Sequence, residues 1–260
     1  MSNLDKNFVQ SVDKSITILE ALSKEKTGLG VTELSNYTGF PKTTVFRLLF
    51  TLMSRGYVEK DIKNDKYLLG IKILQLGSAI LNRLEIRTVA RPYINELAKK
   101  TKEVVHLAIL DEGEAVYIDK EESPEHSVRM FSQIGLRGPI HCTGVGKILL
   151  SGLSDVEVEK IIEKKGLKRY TKNSITDLQK LKDELLMIRK NGYCFDEMEH
   201  EEGIRCVAVP IFDRTDHVIA AISLSGPIFF VTQDRMPELT EEIIRTAKEI
   251  SRQLGYERQN

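Results

Sequence analysis

A short stretch near the amino end carries side chains that suit contacts with DNA bases and phosphates. An Arg guanidinium can donate two hydrogen bonds to guanine, and Lys or Thr can reach bases or phosphates. The candidate contact residues are Lys42, Thr43, Thr44, Phe46 and Arg47. Apolar residues recur in the same stretch at helical spacing, at Val45, Leu48, Leu49 and Leu52. The pattern predicts a helix with one side buried and the opposite side free.

Residues 31–52 indicate how this helix is held. Gly39 supplies a left-handed turn residue between two short helices, and Pro41 begins the second, where a missing N–H is tolerated. Two short helices joined by a tight turn are typical of a helix-turn-helix, whose second helix enters the major groove. An ordinary helical hairpin is the alternative for this stretch taken alone, because the bare motif is a weak signal.

The flanking segments favour the DNA-binding interpretation. Ser11 is predicted to cap a preceding helix, and two short strands at 57–60 and 66–69 surround a polar turn. Three helices and a β-hairpin form a winged helix-turn-helix, which we expect over residues 8–70. Phosphate contacts are expected from the lysines of this hairpin, Lys60, Lys63 and Lys66.

The composition excludes several classes of protein. The chain has 260 residues, 41% apolar and 29% charged, which suits one small and one medium globular domain. No run approaches the ~20 apolar residues of a membrane span, and the amino terminus lacks the apolar core of a signal peptide. We therefore expect a cytoplasmic location. In that context, and with an odd number of cysteines, three, we expect no disulfide framework.

The charge balance carries a weak hint about partners. A formal net charge of +0 disfavours a protein that coats nucleic acid nonspecifically. Residues 1–70 hold 10 Lys+Arg against 8 Asp+Glu, so the small positive excess lies at the end where DNA contacts are predicted.

A helix over residues 71–84 is predicted to link the two domains. It is apolar over much of its surface, at Ile73, Leu74, Leu76, Ile80, Leu81 and Leu84. Palindromic DNA sites require two-fold protein symmetry, so we expect the same helix of a second subunit to cover this surface. Packing against the chain's own domains is the alternative.

Residues 85–256 alternate predicted strands and helices. The strands are expected at 104–110, 115–120, 128–133, 193–197, 205–212 and 218–224. The helices are expected at 86–100, 145–151, 155–165, 177–191 and 232–254. Helices on an antiparallel sheet make an α+β domain, and by analogy alone the pattern suits a GAF-like sensor of small molecules.

Several separate motifs, in order and over residues 11–256, resemble the IclR family of transcriptional regulators. SVDKSITILEAL, GFPKTTVFRLL and RGYVEK are similar to its DNA-binding domain. HLAILDEGEAVYIDK, GPIHCTGVGKILL, RYTKNSITD, GYCFDEMEHEEGIRCVAVPIFD and AAISLSGP are similar to its effector domain. The resemblance implies a homodimer or tetramer that binds double-stranded DNA and a small organic acid, and that represses or activates a catabolic operon. Phe46 departs from the polar or hydroxyl-bearing residue common in the family at that position.

The resemblance also implies where an effector would bind. The family's pocket falls on Met130, Gly144, Val145, Asp196, Ile204, Cys206, Ser223 and Ser225. The free N–H groups of a helix beginning near Gly144 would favour a carboxylate, and Ser223 and Ser225 share one side of a strand. Asp196 would either accept a hydrogen bond from a ligand hydroxyl or be protonated by burial. A hydrated edge strand is the alternative for the serines, and a small core residue is the alternative for Cys206.

Other motifs do not support an enzyme or a metal protein. Residues 144–147 lack the first Gly and the Ser/Thr of a phosphate loop, and the acidic run 196–202 lacks zinc-ligand spacing. Cys142 with His106 or His141 lacks an assignable third residue for nucleophilic catalysis. We therefore expect no catalytic residue, no metal and no cofactor. The alternatives are an enzyme using the carboxy-terminal pocket and a sensor whose partner is a protein. The basic Arg47 and wing lysines disfavour the second, and the apolar Phe46 and Phe50 keep it open.

Overall fold

A computed structural model describes residues 9–83, 85–122 and 132–257, and of residues 81–83 it describes only the backbone. The chain divides into two compact units, Met1–Arg83 and Leu84–Asn260. Each unit has a hydrophobic core of its own.

The first unit is a three-helix domain with a two-stranded wing and a trailing helix. Its elements are α1 (Gln10–Ser23), α2 (Val31–Thr38), α3 (Lys42–Ser54), β1 (Val58–Asp61), β2 (Lys66–Leu69) and α4 (Ile71–Arg83). The strands pair antiparallel, with Val58 opposite Leu69. Ile18, Leu34 and Leu49 are fully buried where the three helices meet. Gly39 has φ +73°, the left-handed conformation expected between α2 and α3.

Two details of the helix ends differ from expectation. Ser11 lies inside α1 and does not cap it; the cap position is Val9, which makes no side-chain hydrogen bond to the helix. The prediction failed because a helix can begin without a capping side chain when its N–H groups reach solvent. Pro41 occupies the cap position of α3, one residue before the helix begins.

The second unit is a six-stranded antiparallel sheet with helices on both faces. Its helices are α5 (Glu85–Thr101), α6 (Gly144–Ser151), α7 (Asp155–Lys165), α8 (Leu178–Asn191) and α9 (Met236–Gln253). Its strands are β3 (Val104–Asp111), β4 (Glu114–Glu121), β5 (Arg137–Gly138), β6 (Cys194–Glu197), β7 (Ile204–Phe212) and β8 (Val218–Pro227). The sheet order is β5-β4-β3-β8-β7-β6. One core lies between the sheet and α5 and α9, and a second between the sheet and α6, α7 and α8.

The expected elements of the second unit appear with small shifts at their ends. Part of the strand predicted at 128–133 lies outside the described residues, and Ser132 and Gln133, which are described, are not in a strand. The helix predicted from residue 232 begins at Met236, because a 3-10 turn at Gln233–Arg235 precedes it. β5 was not predicted, and it exists only through pairing with β4 at Ala115 and Val116.

Candidate functional site

The exposed face of α3 carries the residues predicted to contact DNA. Val45, Leu49 and Leu52 turn inward and are buried. Lys42, Thr43, Phe46 and Arg47 are exposed, and Thr44 is half-buried at the edge of the face. A helix held from one side with a basic and hydroxyl-bearing outer face can insert into a DNA groove.

The three lysines of the wing differ in their surroundings. Lys63 is exposed at the turn, where its backbone N–H donates to Asp61 Oδ1 over 2.8 Å. Lys60 pairs with Asp65 over 2.5 Å, and Lys66 pairs with Glu33 on α2 over 3.2 Å. The Gly30 N–H and the Lys66 ammonium hold the pKa of Glu33 below its usual value. Lys66 therefore ties the wing to α2 and must exchange this partner to reach a phosphate.

The helix α4 exposes an apolar surface. Ile71 is 71% exposed, and Leu76 and Ile80, one helical turn apart, are 48% and 56% exposed. Leu74 is also exposed, while the side chain of Leu81 and all of Leu84 lie outside the described residues. A large exposed apolar helix face indicates a surface that a further element or subunit covers.

The second unit contains a cavity of about 170 Å³ against one face of the sheet. It is lined by all the predicted effector residues that the structure describes, Gly144, Val145, Asp196, Ile204, Cys206, Ser223 and Ser225. Met130 lies outside the described residues. The structure thus brings together residues of four elements, which lie as many as 81 positions apart in the sequence.

Strand register explains why these side chains converge. Asp196 of β6 lies opposite Cys206 of β7, and Cys206 lies opposite Ser225 of β8. One row across three strands therefore presents a carboxyl, a thiol and a hydroxyl to the same face. Ser223, two residues before Ser225, extends the polar surface toward β3, where it lies opposite His106.

The amino terminus of α6 closes over this row. Thr143 caps the helix by accepting from the Gly146 N–H over 3.1 Å. A Cβ at Gly146 would lie 2.4 Å from the Ile140 carbonyl oxygen, and one at Gly144 would lie 3.1 Å from the Ala208 Cβ. Gly144 therefore lets the first turn approach the sheet closely, and Gly146 lets it approach the backbone of the preceding loop at Ile140. Gly144 and Val145 line the cavity, where first-turn N–H groups favour an anion.

His106 and Tyr117 also line the cavity and were not predicted as site residues. His106 Nε2 lies 2.7 Å from Ser132 Oγ, and its Nδ1 lies 3.4 Å from Ser223 Oγ. Burial lowers the pKa of His106 to about 3, so the ring is neutral at physiological pH. The signal available in the sequence was a single imidazole in an otherwise apolar strand, and only pairing with β8 places it beside Ser223.

Asp196 is a buried acid in the wall of the cavity. Its Oδ1 accepts from the Glu199 N–H over 2.7 Å, and burial raises its pKa to about 7. The side chain is therefore protonated to a substantial extent near neutral pH, where it can donate or accept a hydrogen bond and repels an anion weakly.

Lys147 lies behind the cavity and explains the lysine of the apparent phosphate loop. It is fully buried, and its Nζ reaches Glu199 Oε1 at 2.5 Å, the Phe195 carbonyl oxygen at 2.7 Å and Glu184 Oε1 at 3.2 Å. The ammonium joins α6 to β6, to the turn that follows it and to α8. Lys147 therefore has a structural role inside the unit, and this role accounts for the residue without phosphate binding.

Among the residues of this unit that the structure describes, neither Cys142 nor a cluster of metal-ligating side chains offers a site for nucleophilic or metal chemistry. Burial raises the pKa of the Cys142 thiol, so it stays protonated and unreactive. Within residues 9–83, 85–122 and 132–257, no group of three or more His, Cys, Asp or Glu side chains could hold a metal ion. Among those same residues no helix is both long and apolar enough to cross a membrane.

Two family models match this chain over most of its length. The IclR helix-turn-helix domain matches residues 11–61, and the bacterial transcriptional regulator IclR C-terminal domain matches residues 78–252. The HTH-type transcriptional regulator KdgR of Escherichia coli K12 is 40% identical over 257 residues, covering 98% of this chain and 97% of that protein.

Two further relatives extend the comparison. The transcriptional repressor IclR of Escherichia coli K12 is 35% identical over 249 residues, covering 95% of this chain and 90% of that protein. The crystal structure of the Thermotoga maritima IclR superposes with a TM-score of 0.80 at 34% identity, covering 95% of this chain and 99% of that one. The relatives are regulators and not enzymes, so the chain belongs to the IclR family of DNA-binding transcriptional regulators.

Proposed function

We propose that the chain is a repressor of a catabolic operon, and that a small carboxylate bound in the second unit controls its binding to DNA. The single observation that carries this proposal is the cavity between the first turn of α6 and the polar row on β6, β7 and β8. A related protein is named as a transcriptional repressor, which supports repression rather than activation. A regulator of this kind acts where the DNA is, in the cytoplasm.

The DNA contacts are assigned to the exposed face of α3 and to the wing. Lys42, Thr43, Thr44, Phe46 and Arg47 would meet base edges and nearby phosphates in the major groove. Lys63 would hold a phosphate directly, whereas Lys60 and Lys66 would first leave their carboxylate partners. The operator would be a palindrome, because two copies of the chain would each present one α3.

The second copy would be held through α4. Its exposed Leu76 and Ile80 would be buried against the same helix of the partner. The homodimer, or a tetramer built from two such dimers, would bring two recognition helices to one operator. Effector binding would favour one pre-existing arrangement of the DNA-binding domains over another.

The effector would be held at both ends of the cavity. Its carboxylate would accept from the N–H groups at Gly144 and Val145, and Ser223 and Ser225 would bond to it from the sheet. Asp196 would meet a hydroxyl of the effector. The mixture of donors and acceptors in the cavity suits a small acid that carries a hydroxyl group better than a hydrocarbon acid.

A screen of small carboxylates by thermal shift, followed by titration calorimetry, tests this assignment. Two hydroxyl hydrogen bonds to a charged group contribute ~1.5–3 kcal/mol each, so Ser223→Ala with Ser225→Ala should weaken binding at least ~100-fold. Ser151→Ala, a serine of the same unit outside the cavity, is the matched control. Normal affinity in the double variant would place the effector elsewhere.

Asp196→Asn separates two roles of the acid. If Asp196 accepts from a ligand hydroxyl, the change should weaken hydroxy acids more than the corresponding keto acids. If it only repels the carboxylate, both kinds of acid should bind more tightly to the variant. Calorimetry with matched hydroxy and keto acids distinguishes the two results.

A further inference from the structure

Two aromatic rings on α3 lie in solvent. Phe46 is 55% exposed and Phe50 is 63% exposed, and their spacing of four residues places them one helical turn apart. The buried core of this unit takes other residues of the same helix, Val45, Leu49 and Leu52. The rings therefore add nothing to that core, and adjacent exposed aromatics indicate a contact outside the domain.

The rings border the basic part of the helix face. Arg47 follows Phe46 directly and is exposed, and Lys42 and Thr43 are exposed one turn earlier. Helical spacing places Thr43, Arg47 and Phe50 on the side away from the core. The face thus combines groups that read polar base edges with groups that have no polar atom.

A phenylalanine ring cannot bind a phosphate, and it has no donor or acceptor for the base edges. Among the four bases, thymine alone presents an apolar group in the major groove, its C5 methyl. An exposed aromatic ring on a recognition helix therefore fits thymine and gains nothing from guanine, cytosine or adenine. This is the chemical partner that matches both the position and the apolar nature of the two side chains.

An apolar groove of about 1260 Å³ beside the rings offers a competing partner. Val12, Ile16 and Leu19 of α1 line it together with both phenylalanines, and a protein segment could occupy it. DNA is favoured because the rings lie next to Arg47 on the second helix of a helix-turn-helix domain, the helix that such domains place in the major groove. A segment buried in the groove would have to cover Arg47, which also lines it, and would leave the guanidinium desolvated.

We propose that Phe46 and Phe50 read thymine methyl groups, so that each operator half-site carries thymines beside the base contacted by Arg47. The inference rests on the proposed DNA contacts of α3. It gives the recognition helix two kinds of readout, a charged contact for a G·C pair and apolar contacts for A·T pairs.

Deoxyuridine substitution tests the contact at single-methyl resolution. Half-sites are selected from random duplexes with the wild-type protein, and each thymine in turn is replaced by deoxyuridine, which removes only the C5 methyl. Burying one methyl is equivalent to about fourfold in affinity, so one or two positions should weaken binding by that factor in fluorescence anisotropy. In Phe46→Ala and Phe50→Ala, the matching deoxyuridine should change affinity less than about twofold.

Ile16→Ala is the matched control, because it removes an exposed apolar side chain from the opposite wall of the groove. Ile16→Ala should lose the same affinity as the wild type, about fourfold, when thymine is replaced by deoxyuridine. Thermal melting of all three variants should match the wild type, since the side chains are exposed.

Three results would overturn the inference while leaving DNA binding intact: half-sites that contain no thymine, no sensitivity to deoxyuridine, or undiminished sensitivity in both phenylalanine variants. Conversion of the phenylalanine variants to monomers in sedimentation would assign the groove to a protein contact and would overturn it as well. Failure of the wild type to select any sequence would instead refute the proposed DNA contacts, and this inference with them.

Discussion

We expect Arg47 to contribute more than any other single side chain to sequence-specific binding. A bidentate contact to guanine is worth ~1–3 kcal/mol of discrimination, so Arg47→Ala should weaken operator binding by that amount and nonspecific binding much less. Arg55→Ala, which removes an exposed arginine just beyond the end of α3, serves as the control for lost charge. An equal loss of affinity for every duplex would show that Arg47 contacts a phosphate.

Asp196 should make the stability of the second unit depend on pH. Burial raises its pKa to about 7, so between its ordinary value and 7 the folded state binds more protons than the unfolded state. The contribution of Asp196 to the free energy of unfolding is therefore fully present below its ordinary pKa, and it is lost as the pH rises toward 7.

The free energy of unfolding of Asp196→Asn, minus that of the wild type, should therefore increase by on the order of 2–4 kcal/mol between pH 5 and pH 8. Urea unfolding of both proteins at the two pH values measures the difference, in which other titrating groups cancel. A difference that does not change with pH would mean that Asp196 is ionised throughout.

At the scale of elements, the wing should contribute affinity without specificity. Lys63→Ala should weaken binding to all duplexes alike and reduce the log–log salt slope by about one unit, because one phosphate contact releases its condensed counterion. Lys190→Ala, at the exposed end of α8 in the other unit, should leave the slope unchanged. A normal slope in Lys63→Ala would place that lysine in solvent.

The helix α4 should hold the dimer. Leu76→Glu with Ile80→Glu would bury two unpaired carboxylates at the proposed interface, whereas both positions are exposed in the single chain and should tolerate the change in folding. We expect monomers in sedimentation and loss of operator binding. Gln75→Glu, at an exposed polar position of the same helix outside the Leu76 and Ile80 pair, should remain dimeric. A double glutamate variant that stays dimeric would place the interface elsewhere.

Elements with local signals were predictable from the sequence, and elements that depend on distant partners were not. Ser154 and Glu157 form a capping box at the start of α7, and Gly192 ends α8 with φ +77°. Such signals lie within four residues of the helix end, so one segment is enough to find them. The two-residue strand β5 has no periodicity and exists through its pairing with β4.

At the scale of the whole chain, the sequence allowed prediction of those pocket residues that the family resemblance or the start of α6 indicated. Two other residues, one in the pocket and one behind it, are placed by register and burial. His106 reaches the cavity because β3 pairs with β8, and Lys147 is placed by ion pairs to residues 37 and 52 positions away. Neither arrangement leaves a spacing pattern in the sequence, because the contacts join segments that only the folded sheet brings together.

The proposed control of DNA binding by a carboxylate links the two units, and one titration tests it most directly. Operator binding of the wild type and of the Ser223→Ala, Ser225→Ala variant is measured by anisotropy, with and without the carboxylate that stabilises the protein most. Coupling of this kind is typically ~5–150-fold in affinity, and we expect a change in that range for the wild type alone. The variant should bind the operator normally and ignore the carboxylate. An operator affinity that no carboxylate changes, or that changes equally in the variant, would contradict the account.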